Sequence, residues 1–552
     1  MGTTGLGVCL LLTLAAPPVP TAPAPRPAPP DHAMTRDNQR VASWLTDLAG
    51  RVAVTHPRKV STTGLLAAGL SELYEKAGRK PPADLTDRLA SAGTPDAITN
   101  HVTDVLNDLR RSAEISPEEA FVTAANGFAR VTDPYSGLIV RPGNAFAVSD
   151  AEYGLGFEIE GATGPRWITY LLESIFLAPV PGGGAVTARP PASGPWRVHR
   201  VIPGSPAAKA GLRPGDRITH LDGESITSGS NPALFRRLAS VSVPFLREQG
   251  ETVDAAKPVT IRVERDGVDA PIEFKLFRSG YIPESVFGVT RRSDGSWDWM
   301  LDREAGIGYV RLGAVEADAA SSAVAFARAI DELGRDGARA LILDLRWSPG
   351  GYVTPTVQIV GAFLPPGRTI ATLRGRAGEQ PTPGGYYAEP LPGAARWNML
   401  PLAVLVNGET IGGGEMIAAA LQDHGRAVVI GQRTYGKANI MNLIDTPLNG
   451  IGYRVSKYHC LRPNGKSRHR YPDSKPTDEW GVRPDKGFTV PLTPDVSAKL
   501  RAEAERHAIR PSGETASVAF DDPLADPQRM VAVRLLKEKL KTTEQEKDEP
   551  TK

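Results

Sequence analysis

Residues Pro401–Met441 read PLAVLVNGETIGGGEMIAAALQDHGRAVVIGQRTYGKANIM. The apolar run Leu402-Ala403-Val404-Leu405-Val406 stops at Asn407-Gly408, and an Ala-rich helical pattern begins at Glu415. That order predicts buried strand, tight turn, helix. Gly412-Gly413-Gly414 stands at the turn. A strand that feeds a helix through glycines leaves unpaired backbone N–H groups at the helix start, which suits an oxyanion, a carboxylate or a phosphate.

The wording of the stretch narrows this. Leu421-Gln422-Asp423-His424-Gly425-Arg426-Ala427, a second apolar strand, and Thr434-Tyr435-Gly436-Lys437 follow in order. The stretch resembles the C-terminal processing (tail-specific) serine peptidases, in which a Ser-Ala-Ser-Ala-Ser-Glu turn precedes the same succession. The resemblance implies that Lys437 stands at the family's general base, a lysine kept neutral so that it can deprotonate a serine. It puts Gly412 at the nucleophile and Met441 at the glutamine that orients the lysine, so both groups are lost. No serine occurs between Ser348 and Ser456. Thr410, two residues upstream, is the nearby hydroxyl.

At 552 residues the chain exceeds a single core and suggests several domains. A hydrophobic content of 41% with 23% charged residues is ordinary for a globular protein. The net charge of +2 points away from nucleic acid or an anionic membrane surface as the main partner. Gly5 to Ala16 is a short apolar run followed by a Pro/Ala-rich stretch, as in a secretory signal with a linker, although no Lys or Arg precedes it. Export to a periplasmic, cell-envelope or extracellular compartment is expected, with no transmembrane span. Cys9 lies in that segment, which leaves Cys460 as the mature chain's cysteine and no internal disulfide.

From Asp37 to Asn126 the apolar spacing is helical, with Val41, Leu45, Leu48 and Val52 on one face. Asp133-Pro134-Tyr135-Ser136 resembles the family's junction after its N-terminal helices. Further on, Gly154-Leu155-Gly156-Phe157 resembles the carboxylate-binding loop of a PDZ domain, and Val201 to Ile218 resembles that domain's central strand, short helix and turn. Turn glycines let backbone N–H groups converge on a terminal carboxylate while the peptide adds as a strand. Between these signals, residues 162–195 form an insertion with an apolar helical piece, Trp167 to Leu177, readable as a surface excursion or as a lid over the peptide groove.

Strand Gly306–Leu312, a helix from Ala319 to Leu333 and the buried strand Ala340–Leu345 form a βαβ pattern and predict a parallel sheet. Arg346-Trp347-Ser348-Pro349-Gly350-Gly351 then resembles the family's Asn-Pro-Gly-Gly loop, with Ser348 for the Asn. Carried over, the oxyanion hole is the backbone of Gly350 and Gly413. His459, His469 and Asp473 lack ligand spacing and read as solvated side chains, so no metal and no cofactor is expected. Lys541 to Lys552 reads as a disordered charged tail.

The expected class is α/β within a multidomain α+β chain. Residues 1–36 form the signal-like segment, 37–138 an N-terminal helical domain, 145–278 a PDZ domain, 285–492 a ClpP/crotonase-like, tail-specific peptidase-like core, and 493–552 a C-terminal helix and tail. Two functions stay open: a family member that holds peptide C-termini without cutting them, as a scaffold, a decoy or the partner of an active homologue or of another copy, and a peptidase with a non-standard nucleophile such as Thr410. An anion held at the glycine turn is a third reading.

Overall fold

The computed structural model describes residues 31–133, 135–140, 152–159, 196–202, 204–226, 257–281, 284–292, 296–315, 322–376, 384–448, 451–471, 474–508 and 526–548. The signal-like residues 1–30, the insertion 162–195 and Asp473 lie outside them.

Helices α1 (Asp31–Thr55), α2 (Thr62–Lys76), α3 (Leu85–Ser91), α4 (Pro95–Ser112) and α5 (Pro117–Gly127) make the N-terminal bundle. Ser61, Thr94 and Ser116 cap α2, α4 and α5 through their hydroxyls, and Pro opens α4 and α5, where its missing N–H costs nothing. Val41, Leu45, Leu48 and Val52 are all fully buried, as their spacing requires. The bundle core also takes in Leu138, Ile444, Tyr453 and Val455, so the helices pack on strands that lie far away in sequence. Strand Gly137–Val140 pairs with Ile451–Arg454, which carries the boundary segment at residue 138 into a sheet of the C-terminal core.

A six-stranded sheet, with Phe157–Ile159 at one edge and Ile272–Leu276 at the other, wraps short helix α6 (Pro206–Ala210) around Leu155, Val198, Ile218 and Ile261. The chain's way in, Glu152–Gly154, pairs with its way out, Ser279–Tyr281, as a two-stranded ribbon.

The core sheet runs Val286–Phe287, Ile307–Leu312, Ala340–Asp344, Leu402–Val406, Val428–Gly431, with Met300–Asp302 also on Ile307–Leu312. Its central pairs are parallel, as the βαβ pattern predicts. Helices α7 (Ser322–Arg335), α8 (Val353–Gly361) and α9 (Gly413–Asp423) cover one face. After α10 (Pro494–Ala508), helix α11 (Pro527–Asp548) covers the other through Ala532, Val533, Leu536 and Leu540. Both faces are therefore buried, which accounts for the unbroken apolar strands. The expectation of a disordered tail from Lys541 is corrected here: α11 continues to Asp548, because its apolar stripe has a sheet to cover.

Beside this sheet, the long strand Ile451–Leu461 holds together Gly137–Val140, Asn439–Asp445, Thr369–Arg374 and, through the last of these, Gly385–Tyr387. Mixed helices and sheets with a parallel core give the α/β, multidomain α+β class.

Candidate active site

Strand Leu402–Val406 delivers the chain to a turn built by Thr410. Its hydroxyl donates to Leu345 O at 2.8 Å, the Asn407 N–H donates to it at 3.0 Å, and the residue is fully buried. Thr410 thus holds the turn to the neighbouring strand, with its hydroxyl engaged inside the protein.

Gly412 caps α9 with φ +52° and ψ −101°, outside the region open to most side chains. A Cβ there would meet only Pro349 O, at 3.9 Å. The position has room for a side chain and carries none. Without one, only half of a capping box forms: the Gly412 N–H donates to Glu415 Oε2 at 3.0 Å.

The Gly350 backbone comes against this turn. A Cβ on Gly350 would lie 2.5 Å from Gly413 N and 2.6 Å from Ile411 O, and φ is +74°, so both sterics and conformation call for glycine. Among the described residues, no acceptor is recorded for the N–H of Gly350 or of Gly413. The structure brings these two predicted positions together.

The Gly350 loop is braced from behind. Arg346, buried, is bound by Asp344 and Asp526, each at 2.6 Å, and donates to Gln528 at 3.3 Å, so the start of α11 grips the strand end. Trp347 sits at φ +57°, its N–H donating to Asn407 Oδ1 and its indole to Ser497 of α10. Ser348 donates to Gly313 O at 2.7 Å, which makes it part of the same scaffold.

Glu415 joins the glycine turn to the lysine. Fully buried, its carboxylate accepts from Thr434 Oγ1, from the Gly436 and Lys437 N–H groups at 2.7 and 2.8 Å, and from the Gly412 N–H. Burial pushes its carboxyl upward, while Arg468 and these donors pull against that.

Lys437 is 8% exposed, with Nζ 5.7 Å from the Tyr135 ring centroid. Burial and then the Arg454 charge hold its amine well below the ordinary lysine value; Asp133 and Glu415 oppose them more weakly. The direction is the one that favours the neutral amine, the form that can accept a proton. Met441, on strand Asn439–Asp445, faces Ser456, whose hydroxyl reaches its sulfur at 3.5 Å. A thioether cannot donate to orient an amine.

Behind Lys437 lies a buried polar cluster that the linear sequence does not signal. His56, at the end of α1, bonds Asp133 at 2.8 Å, and Asp133 also accepts from Ser136 and from the Tyr135 N–H. Burial would raise the Asp133 carboxyl, but the bond and charge of His56, with Ser456 and His469, keep it low. His469 is 3% exposed, stacked against Tyr135 and Tyr471, and burial takes it down to about 3. The expectation that His459 and His469 are solvated is corrected, since the loop folds them beneath the bundle. The Asp133-Pro134-Tyr135-Ser136 phrase was the available signal, but not of its role here. Among the described residues no cluster with metal-ligating character occurs.

In the six-stranded domain, the Leu155 carbonyl accepts from Ala207 N and the Gly156 carbonyl from Ile202 N and Ser205 Oγ. Gly156 is at φ +79°, Leu155 and Phe157 are buried, and among the described residues strand Phe157–Ile159 is an edge of its sheet. With the carbonyls held inward, Gly154, Leu155, Gly156 and Phe157 form a loop beside a strand edge, the arrangement that strand addition uses.

Peptidase family S41 matches residues 306–486, and a PDZ domain matches 197–239. A carboxy-terminal-processing protease of Bartonella bacilliformis is 28% identical over 355 residues, 62% of this chain and 71% of that one. A carboxyl-terminal-processing protease of Synechocystis is 29% identical over 304 residues, 55% of this chain but 61% of its own length. The solved photosystem II D1 C-terminal processing protease is 20% identical, covers 85% of this chain and 99% of its own, and has a TM-score of 0.39. The S41 match contains both the glycine turn and Lys437, and it follows the PDZ match in the chain. The chain thus carries a peptidase family S41 region and is similar to proteins named carboxy-terminal-processing proteases.

Proposed function

We propose that this chain is a peptide-binding member of its family whose serine-peptidase chemistry is impaired. The PDZ loop at Gly154–Phe157 takes a peptide C-terminus, and the core receives the adjoining segment. The observation that carries the reading is Gly412: a capping position with room for a side chain, beside a buried, lowered Lys437, and with no nucleophile on it. Loss of the nucleophile in a comparable catalytic set costs on the order of a millionfold in turnover. The N–H groups of Gly350 and Gly413 remain available to a peptide carbonyl, which supports binding without cleavage. Export follows from the apolar run at Gly5 to Ala16, and a role as decoy or partner for an active homologue fits a retained groove.

The test is cleavage of an unstructured protein with an apolar C-terminus by the wild type, by Gly412→Ser with Met441→Gln, and by Lys437→Ala. Silence in the wild type with turnover in the double variant is the expected result. Wild-type turnover that disappears in Lys437→Ala overturns the reading and makes the chain a working hydrolase.

A further inference from the structure

Arg470 differs from its basic neighbours Arg433, Arg483 and Lys466. Arg433 is spent on the carbonyls of Trp480, Pro476 and Asp478, and Arg483 on those of Pro476, Thr477 and Asp478. Lys466 pairs with Glu479 at 2.9 Å. Those side chains build the loop. Arg470 is exposed, and among the described residues its guanidinium has neither a hydrogen-bond nor an ion-pair partner. It stacks on Trp480, 4.5 Å from the ring centroid, while Arg433 lies 3.4 Å from that centroid.

The position of the stack matters more than its charge. The Arg470 N–H donates to Gly436 O at 2.7 Å, and a Cβ on Gly436 would meet Arg470 Cβ at 2.6 Å and Trp480 Cε3 at 3.2 Å. The platform therefore abuts the residue before Lys437. Its field also reaches Tyr435 and Tyr135, the ring under the lysine amine. Crowding guanidinium groups is unfavourable, and burial together with Arg483 and Arg470 drives Arg433 down to about 10. A chain of net charge +2 has no general excess of positive charge to account for this.

We propose that Arg470, set over the Trp480 ring, is a docking group for a carboxylate of the bound peptide, and that it makes the core prefer acidic segments. A stacked guanidinium keeps its planar fork free for two parallel bonds to a carboxylate, with less ordering left for the ligand to impose. The inference rests on the peptide-binding reading and adds a specificity to the core that is separate from the PDZ loop.

The experiment is fluorescence anisotropy with a labelled peptide that ends in apolar residues and carries Glu upstream, beside the same peptide with Gln in those places. Each is used with a free and with an amidated C-terminus, against wild type, Arg470→Gln and Arg470→Glu. The wild type is expected to bind the Glu peptide roughly three- to fivefold more tightly than the Gln peptide, the scale of an exposed ion pair. Arg470→Gln removes the preference and Arg470→Glu reverses it. If the Arg470 dependence follows amidation instead of the Glu residues, the carboxylate is the terminal one, and the inference is overturned. Binding without preference in the wild type, or a preference that survives both variants, overturns the inference and leaves peptide binding intact. Failure of every peptide to bind overturns both.

Discussion

Gly412 and Lys437 donate their backbone N–H groups to one atom, Oε2 of Glu415, at 3.0 and 2.8 Å. The glycine turn and the lysine are thus fixed to each other through a third residue. The other carboxylate oxygen takes Thr434 and Gly436. One buried carboxylate therefore sets the spacing between Gly412 and Lys437.

Glu415 should be worth more to stability than any residue it touches. Replacing it with Ala strands several buried donors, each carrying a desolvation penalty. Glu415→Ala is expected to cost on the order of 3 kcal/mol or more, and Glu415→Gln less, because one amide oxygen still accepts. Urea unfolding monitored by fluorescence measures both. A Glu415→Ala protein as stable as the wild type would mean that the turn and the lysine loop hold each other without the carboxylate.

The glycines of the site should respond unequally. At Gly412 an added Cβ meets open space, so Gly412→Ala or Gly412→Ser costs only the positive-φ conformation, about 1–2 kcal/mol. At Gly350 the same methyl collides with two backbone atoms that cannot turn aside, so Gly350→Ala should lose clearly more and displace the Gly413 N–H. Thermal midpoints of the two variants, compared directly, test this. Equal losses would mean that the Gly350–Gly413 approach is looser than drawn.

These contrasts also mark what a linear reading can reach. The strand-turn-helix around Gly412, the parallel pairing of Ile307–Leu312 with Ala340–Asp344 across one βαβ unit, and the lysine at 437 lie within short windows whose periodicity and turn residues are local properties. His56 and Asp133 are 77 residues apart, and their bond forms only when α1 packs beneath the long strand. Likewise, the end of α11 from Lys541 looked like a charged tail because it has no apolar stripe of its own, and it continues a helix that Ala532, Leu536 and Leu540 anchor on the sheet. Where the Thr410 hydroxyl donates is equally beyond a linear reading, since its acceptor, Leu345 O, lies on the neighbouring strand's end.

His469 should make the protein acid-sensitive. Its Nδ1 accepts from the Ala438 N–H, and burial holds the imidazole at about 3 amid Asp133, His459, Arg468 and His56. The unfolded chain takes up a proton near 6.5 that the folded chain refuses. The stability cost is therefore absent above that value and grows as pH falls toward 3, by up to about 1.4 kcal/mol per pH unit. His469→Asn keeps an acceptor for Ala438 and removes the titration, so its stability should gain on the wild type as pH drops from 6.5 to 4. Parallel pH profiles in chemical unfolding would disprove this.

Lys437 carries the corresponding penalty at higher pH. Burial and Arg454 put its folded value well below the ordinary lysine value of 10.5, so between the two values the unfolded state binds one proton more than the folded state. Stability then rises with pH through that window, again by at most about 1.4 kcal/mol per unit, and the penalty is gone above 10.5. Lys437→Met preserves length and removes the charge. Its stability relative to the wild type should be greatest near neutrality and shrink as pH is raised, whatever the constant cost of the lost amine contacts. Because the readout is the slope, unequal packing of the thioether does not disturb it. A difference that stays flat from pH 7 to 10 would mean that the amine titrates as an ordinary lysine, and the site would then lack a neutral base even after Gly412→Ser restores the hydroxyl.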